Sequence, residues 1–199
     1  MSSTLPTVTI LIEGYAQKTA HGWVASSTVC LIRTADKIIL TDPGCNRAQL
    51  LDALAREHLA TADITDVVVT HAHPDHGMLA GIFENARVIT WDSGLVYNGD
   101  TLTQYDTHEL GEHIEILQTP GHMLEHIALL VTTAQGVVAI AGDVIFWLDD
   151  EEQVLDIHKQ DPSQAKGLNH DDLVASRTLL VERADYIVPG HGKMFAVSK

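Results

Sequence analysis

A chain of 199 residues that is 45% hydrophobic and 20% charged has the length of a single domain, residues 1–199, and enough apolar material for a real core, which excludes a disordered, collagen-like or coiled-coil protein. No apolar run approaches the roughly 18 residues that span a bilayer, since the longest candidate, residues 127–140, is broken by Thr132, Thr133, Gln135 and Gly136. The formal charge is −15, and no Lys or Arg falls between Arg87 and Lys159, so the basic patch that grips nucleic acid is missing and a small-molecule partner is favoured over a polynucleotide.

In chain order, short β-branched runs at residues 8–13, 28–33 and 37–41 predict an opening set of antiparallel strands. Residues 47–59 carry Leu50, Leu51, Leu54 and Ala55 at helical spacing, with Asn46 as the N-cap. A buried strand follows at 67–70, then a short helical stretch near 78–83 and a strand at 87–91. Residues 92–107 hold Gly94, Asn98, Gly99 and Asp100 without a period and read as a long surface loop. Strands are predicted at 114–117, 127–131 and 137–140. An irregular acidic segment then runs through Asp161, with Asp149, Asp150, Glu151 and Glu152 as a solvated loop. Residues 168–183 form an amphipathic helix on which Leu173, Val174, Leu179, Leu180 and Val181 share about one face, and 185–188 is a closing strand. Two halves, each of several strands and one long helix, suit an α/β or α+β chain with two packed sheets covered by helices.

The opening Met-Ser-Ser-Thr-Leu-Pro lacks the basic region and apolar stretch of a secretory leader. Two cysteines, Cys30 and Cys45, give no disulfide framework, so reduced thiols in a cytoplasmic protein are expected.

Twelve histidines in so short a chain direct attention to metal ligation. Thr70-His71-Ala72-His73-Pro74-Asp75-His76-Gly77 follows directly on the 67–70 strand. In extended chain, side chains two apart share a face, so His71 and His73 grip one ion. Pro74 suits the first turn of a helix, which folds the chain over and presents Asp75 and His76 to a second ion. Four ligands do not complete two shells. His122 in Thr-Pro-Gly-His, Asp143 in Ala-Gly-Asp and His191 in Pro-Gly-His-Gly each follow an apolar strand at a glycine-permitted turn. A carboxylate such as Asp143 bridges two ions with its two oxygens.

These motifs, in this order from Asp42 in Thr-Asp-Pro-Gly to His191, resemble the metallo-β-lactamase superfamily in its His-x-His-x-Asp-His form. The segments Glu13-Gly14-Tyr15, Ala141-Gly142-Asp143-Val144 and Asp161-Pro162 further resemble the metallo-β-lactamase domain-containing protein 1 group. The resemblance implies an αββα sandwich, two mixed sheets flanked by helices, with metals at one sheet edge. It assigns His71, His73 and His122 to the first ion, Asp75, His76 and His191 to the second, Asp143 to both, and to Asp42 the role of orienting ligands or ordering its loop.

Two such ions share a water and lower its pKa towards neutrality, so the chemistry is hydrolysis by a metal-bridging hydroxide, with Asp75 as the catalytic group that passes a proton to the leaving group. Histidine and carboxylate ligands suit two Zn²⁺ and also Fe or Mn; zinc is the expectation. Within the family, the bridging Asp points to thioesterases, lactonases and phosphodiesterases rather than to true β-lactamases. The expected activity is hydrolysis of a small ester, thioester or lactone. The alternatives are a compact RNA-cleaving nuclease, a non-catalytic metal-binding sensor and a di-iron oxidoreductase. Tyr15, His170 and Arg177 are read as surface or packing residues, His126 as a strand-edge residue, Cys45 as an inert thiol, and Trp91, Phe146 and Trp147 as core or loop-base filling. His21, His58, His108, His113 and His158 have no partner spacing.

Overall fold

The computed structural model describes residues 4–90, 94–164 and 166–198. In chain order the strands are β1 (Thr7–Ile12), β2 (Tyr15–Thr19), β3 (Gly22–Ser26), β4 (Val29–Arg33) and β5 (Ile38–Thr41), after which come helix α1 (Arg47–Arg56), strand β6 (Asp66–Val69) and helix α2 (Pro74–Gly77). Then follow β7 (Arg87–Thr90), β8 (Leu95–Asn98), β9 (Thr101–Gln104), β10 (Ile114–Gln118), β11 (Ile127–Thr133), β12 (Gly136–Ile140), helix α3 (His170–Arg183), β13 (Tyr186–Val188) and β14 (Phe195–Ala196).

Seven strands form one sheet in the order β1-β4-β5-β6-β7-β8-β9, and five form a second in the order β10-β11-β12-β13-β14. Both are mixed, with β5, β6 and β7 parallel in the first and β12 and β13 parallel in the second. The period-2 alternation of strands sorts their side chains into three layers. Cys30, Ile32, Ile39, Val68, Ile127, Leu129 and Val131 meet between the sheets. Their neighbours Val29, Leu31, Leu40, Val67 and Val69 face Leu50, Ala53 and Leu54 of α1 on one outside, and Ala128 and Leu130 face Leu173 and Leu180 of α3 on the other. This is the expected αββα sandwich. Asn46 and Asn169 cap α1 and α3 through their side chains, accepting from Gln49 N and Asp171 N.

Three expectations need correction. The surface loop of 92–107 is mostly a hairpin, β8–β9, in which Val96 pairs with Ile89 and reaches the core while every β9 side chain is exposed. Strands this short, with one wholly exposed, leave no period to detect. A second hairpin, β2–β3, was not anticipated. In place of one helix near 78–83 stand the four-residue α2 and a single 3₁₀ turn at Ala80–Ile82, with Gly77 and Gly81 interrupting. Helix α3 starts at His170 rather than at 168, and Trp91 and Asp92 lie outside the described residues.

Candidate metal centre

β5, β6, β12 and β13 each end in a loop bearing a predicted site residue, and β10, antiparallel to β11 as β12 is, ends in another. The carboxyl ends of like-directed strands gather on one edge of each sheet, where an α/β scaffold presents its ligands. There the structure brings together all seven predicted ligands. His71, His73, His122 and Asp143 form one set of donor atoms, and Asp75, His76 and His191 another.

In the first set His73 Nδ1 lies 3.0 Å from both His71 Nε2 and His122 Nε2, and Asp143 Oδ2 is 3.7 and 3.6 Å from those same Nε2 atoms. In the second, Asp143 Oδ1 is 3.1 Å from His76 Nε2 and 3.5 Å from His191 Nε2, and His191 Nε2 is 3.4 Å from Asp75 Oδ2. Tetrahedral coordination with bonds of about 2.0–2.1 Å puts neighbouring donors roughly 3.3 Å apart, so both sets have the spacing of a small divalent cation. His76 Nε2 and Asp143 Oδ1 supply a second sign: both are buried and neither has a hydrogen-bond partner, close as they are. Orphaned buried donors and acceptors are costly, and a cation between them satisfies both. The residues fit a metal pair.

The other ring nitrogens are tied down, which fixes how each imidazole points. His76 Nδ1 is 2.9 Å from Asp42 Oδ2, His122 Nδ1 is 2.6 Å from Asp161 Oδ2, His191 Nδ1 donates to Ser26 O at 3.1 Å and His71 Nδ1 is 3.0 Å from Thr70 Oγ1. In all four the Nε2 is thereby left facing the centre. His73 alone turns its Nδ1 inward. Asp42 is buried, accepts from Thr70 N and Thr70 Oγ1 as well, and adopts a left-handed backbone with φ of 43°, a strained conformation for a non-glycine residue that the surrounding bonds sustain. This is a residue orienting His76, not an ordinary turn aspartate.

Asp161 was missed. It is buried, and while Oδ2 meets His122, Oδ1 accepts from Ser163 N and Ser163 Oγ. Only the Asp-Pro pair drew attention in the sequence, because its partner lies 39 residues away. The available signal was a rule: a ligating histidine needs a partner for its second nitrogen. Asp42→Ala and Asp161→Ala are each expected to weaken metal affinity about 10–100-fold while leaving a folded chain, a result that competition titration with a chelator measures.

Electrostatics divides the histidines. Burial pushes His71 well below the ordinary histidine range, which keeps the imidazole neutral and able to ligate. Burial also acts downward on His76 and His191, but Asp143 outweighs it, with Asp42 helping at His76 and Asp75 at His191, so His76 is held well above the ordinary value and His191 is pushed up to about 9. Asp143 itself stays well below the usual carboxylate range, because His76 and His191 overcome the opposing effect of burial. A cation takes the place of the protons these carboxylates otherwise recruit.

His126 does stand at the edge of β11, but it is buried, stacked on His71 with centroids 5.0 Å apart, and its Nδ1 is 2.8 Å from Thr119 Oγ1. Arg177 packs rather than reaches the centre, its Nε donating to Val144 O at 2.6 Å and its Nη1 to Ile157 O at 3.2 Å. Tyr15 and His170 are half-buried and belong to neither donor set. Cys45 is exposed, with Sγ 3.4 Å from Ala25 O. Trp147 is core. Phe146 does more than fill space, since it sets its ring 5.9 and 6.0 Å from those of His122 and His191 and lines the cavity above them.

Comparison with known proteins gives the same direction. The sequence profile of the metallo-β-lactamase superfamily matches residues 22–97. The metallo-β-lactamase domain-containing protein 1 of Xenopus laevis is 30% identical over 96% of this chain and 82% of its own. A hydroxyacylglutathione hydrolase of Chromohalobacter salexigens is 31% identical over 56% of this chain and 44% of its own. Among solved structures, a Thermotoga maritima protein assigned to the metallo-β-lactamases superposes with a TM-score of 0.72 at 22% identity, covering 96% of this chain and 99% of that one. A quorum-quenching N-acyl homoserine lactone lactonase does so with a TM-score of 0.61 at 18% identity, over 92% and 88%.

Proposed function

The chain belongs to the metallo-β-lactamase superfamily of metal-dependent hydrolases, and from that premise we propose that it is a two-metal hydrolase that cleaves a small ester, thioester or lactone. The observation that carries this reading is the division of Asp143, whose Oδ2 faces one histidine set and whose Oδ1 faces the other. A carboxylate used in that way serves two cations. Zinc is the metal of choice for this donor set, with Fe and Mn also compatible. His71, His73 and His122 would hold one cation, Asp75, His76 and His191 the other.

When bound, such a pair supplies an acidified water as nucleophile and a Lewis acid for the scissile carbonyl. The chain's own groups do the rest. Asp75 is the more exposed of the two ligand carboxylates, with 22% of its side chain in solvent against 6% for Asp143, and it lines the cavity. Burial acts to raise its pKa, but His191 and His76 hold it below the usual carboxylate range, so it accepts a proton only transiently and passes it to the departing oxygen or sulfur. Phe146 keeps bulk water off the rings of His122 and His191. Asp42 and Asp161 hold His76 and His122 in position, so no ligand has to reorganise during turnover.

Support for a carbonyl substrate comes from the hydroxyacylglutathione hydrolase and lactonase likenesses and from the acidic surface, which opposes polyanions. The substrate is a small molecule, and residues 1–199 act as one hydrolase domain. No helix among the described residues is long and apolar enough to cross a membrane, and two free thiols, one of them exposed, suit a reducing cytoplasm. The test is turnover on matched ester, lactone, thioester and phosphodiester probes by the metal-loaded protein. A carbonyl preference abolished by a chelator and restored by added zinc is expected, whereas phosphodiester preference would replace this reading with a nuclease.

A further inference from the structure

The cavity over the two donor sets has a volume of about 360 Å³, the lower end of the range for small-ligand sites. Its polar lining is almost wholly the centre itself. Away from the centre the walls are Ala16, Trp23, Ala25, Pro74, Phe146 and Pro162, with Ser163 the one further polar residue, and the lining among the described residues includes no Lys or Arg. Trp23 stands out in this wall because 45% of its surface remains in solvent, a cost in water that contact with an apolar ligand would relieve. Met78 and Leu124, each two residues beyond a histidine of the centre, are 63% and 69% exposed and extend the apolar character of the loops that surround it.

The hairpin that carries Trp23 is pinned at its base. Ala16 N donates to Asp149 Oδ1 at 3.2 Å and Asp149 N to Ala16 O at 2.9 Å. At the same base, where Ser26 pairs with Tyr15, Ser26 O accepts from His191 Nδ1 and Ser27 N donates to Asp75 O at 3.1 Å. Lys18 Nζ lies 5.8 Å from the centre of the Trp23 ring, a cation–π contact across the hairpin. The indole thus lines the cavity from near the tip of a hairpin whose base is bonded directly to two of the centre's ligands.

Resting on the carbonyl-hydrolase reading, we propose that the β2–β3 hairpin, through Trp23, which shares the cavity wall with Phe146, selects substrates with an uncharged apolar acyl group, and that a carboxylate on that group is rejected because Asp75 and Asp143 line the cavity and no Lys or Arg does among the described residues. The substrate class is then neutral acyl esters, thioesters or lactones with a medium-length hydrocarbon tail, not short polar or dicarboxylic ones.

The experiment has two arms on the metal-loaded protein. Binding of uncharged linear amides of increasing chain length, which are not turned over, is measured by calorimetry beside the same chains ending in a carboxylate. Turnover is measured on thioesters with the same acyl series. Affinity and kcat/KM are expected to rise about two- to fourfold per methylene until the cavity is full, and the terminal carboxylate is expected to cancel that rise. Trp23→Ala should flatten both slopes at unchanged metal content, and Trp23→Phe should keep most of each. Flat series, tighter binding of the carboxylate-tipped chains, or a wild-type slope in Trp23→Ala would overturn the proposal. A binding slope without turnover of any ester, thioester or lactone probe would support the apolar wall and count against the carbonyl-hydrolase reading instead.

Discussion

Replacing Asp143 with alanine is expected to remove both cations and to lower kcat/KM on any probe the wild type hydrolyses by on the order of 10³ or more. The size follows from its position. Its two oxygens lie within 3.7 Å of the Nε2 atoms of His71, His122, His76 and His191, so one deletion takes a donor from each set. It also removes the carboxylate that raises the pKa of both His76 and His191, leaving imidazoles around a space with no carboxylate between the two sets. Asp143→Asn separates charge from shape, for the amide fills the same volume and keeps one oxygen acceptor. That variant should fold and still lose the metal pair. Elemental analysis and circular dichroism on the two variants decide whether metal is lost with the fold intact.

The second large effect is expected where no ligand changes. A Cβ added at Gly190 would overlap Asp143 Oδ1 and meet Gly142 C at 2.8 Å and Asp143 N at 3.0 Å. Gly190 N also donates to Gly142 O and to Ile145 O, both at 3.0 Å, so the loop is not free to move aside. Gly190→Ala therefore either displaces Asp143 or shifts the loop bearing His191, and both outcomes cost the second cation. Overpacking of this kind costs about 1–3 kcal/mol of stability, and the metal loss should exceed what that destabilisation explains. Gly81→Ala is the control, since a Cβ there meets nothing within 4 Å. It should leave metal content and melting temperature near wild type. Equal metal content in the two variants would show that the crowding around Asp143 does not matter.

The ligands were legible because each follows an apolar strand and sits at or beside a glycine or proline turn, so chemistry and punctuation coincide in a few residues. Pro74 did open a helical turn that brings His76 inside. What escaped was non-local. Asp161 and Ser26 act through single hydrogen bonds to ligands, and sequence spacing carries no trace of the 39 residues between Asp161 and His122 or the 165 between Ser26 and His191. Asp42 was an exception only because a family resemblance singled it out. The hairpins were lost for a different reason. The strands β3, β8 and β9 are five residues or fewer, and β9 buries nothing, so hydrophobic alternation had no length over which to show. Trp23, on which substrate selection is proposed to turn, lies in one of those unseen hairpins. Phe146 was visible as an aromatic but not as a cavity wall, a difference that depends on which loop it faces.

The central claim is that these side chains hold two cations, and the direct measurement is the metal content of the purified protein, by elemental analysis, beside that of Asp143→Ala. About two equivalents of zinc per wild-type chain, falling to well under one in the variant, is the predicted result. A wild-type protein that takes up no metal even when zinc is supplied, or a variant that keeps both equivalents, would contradict the account.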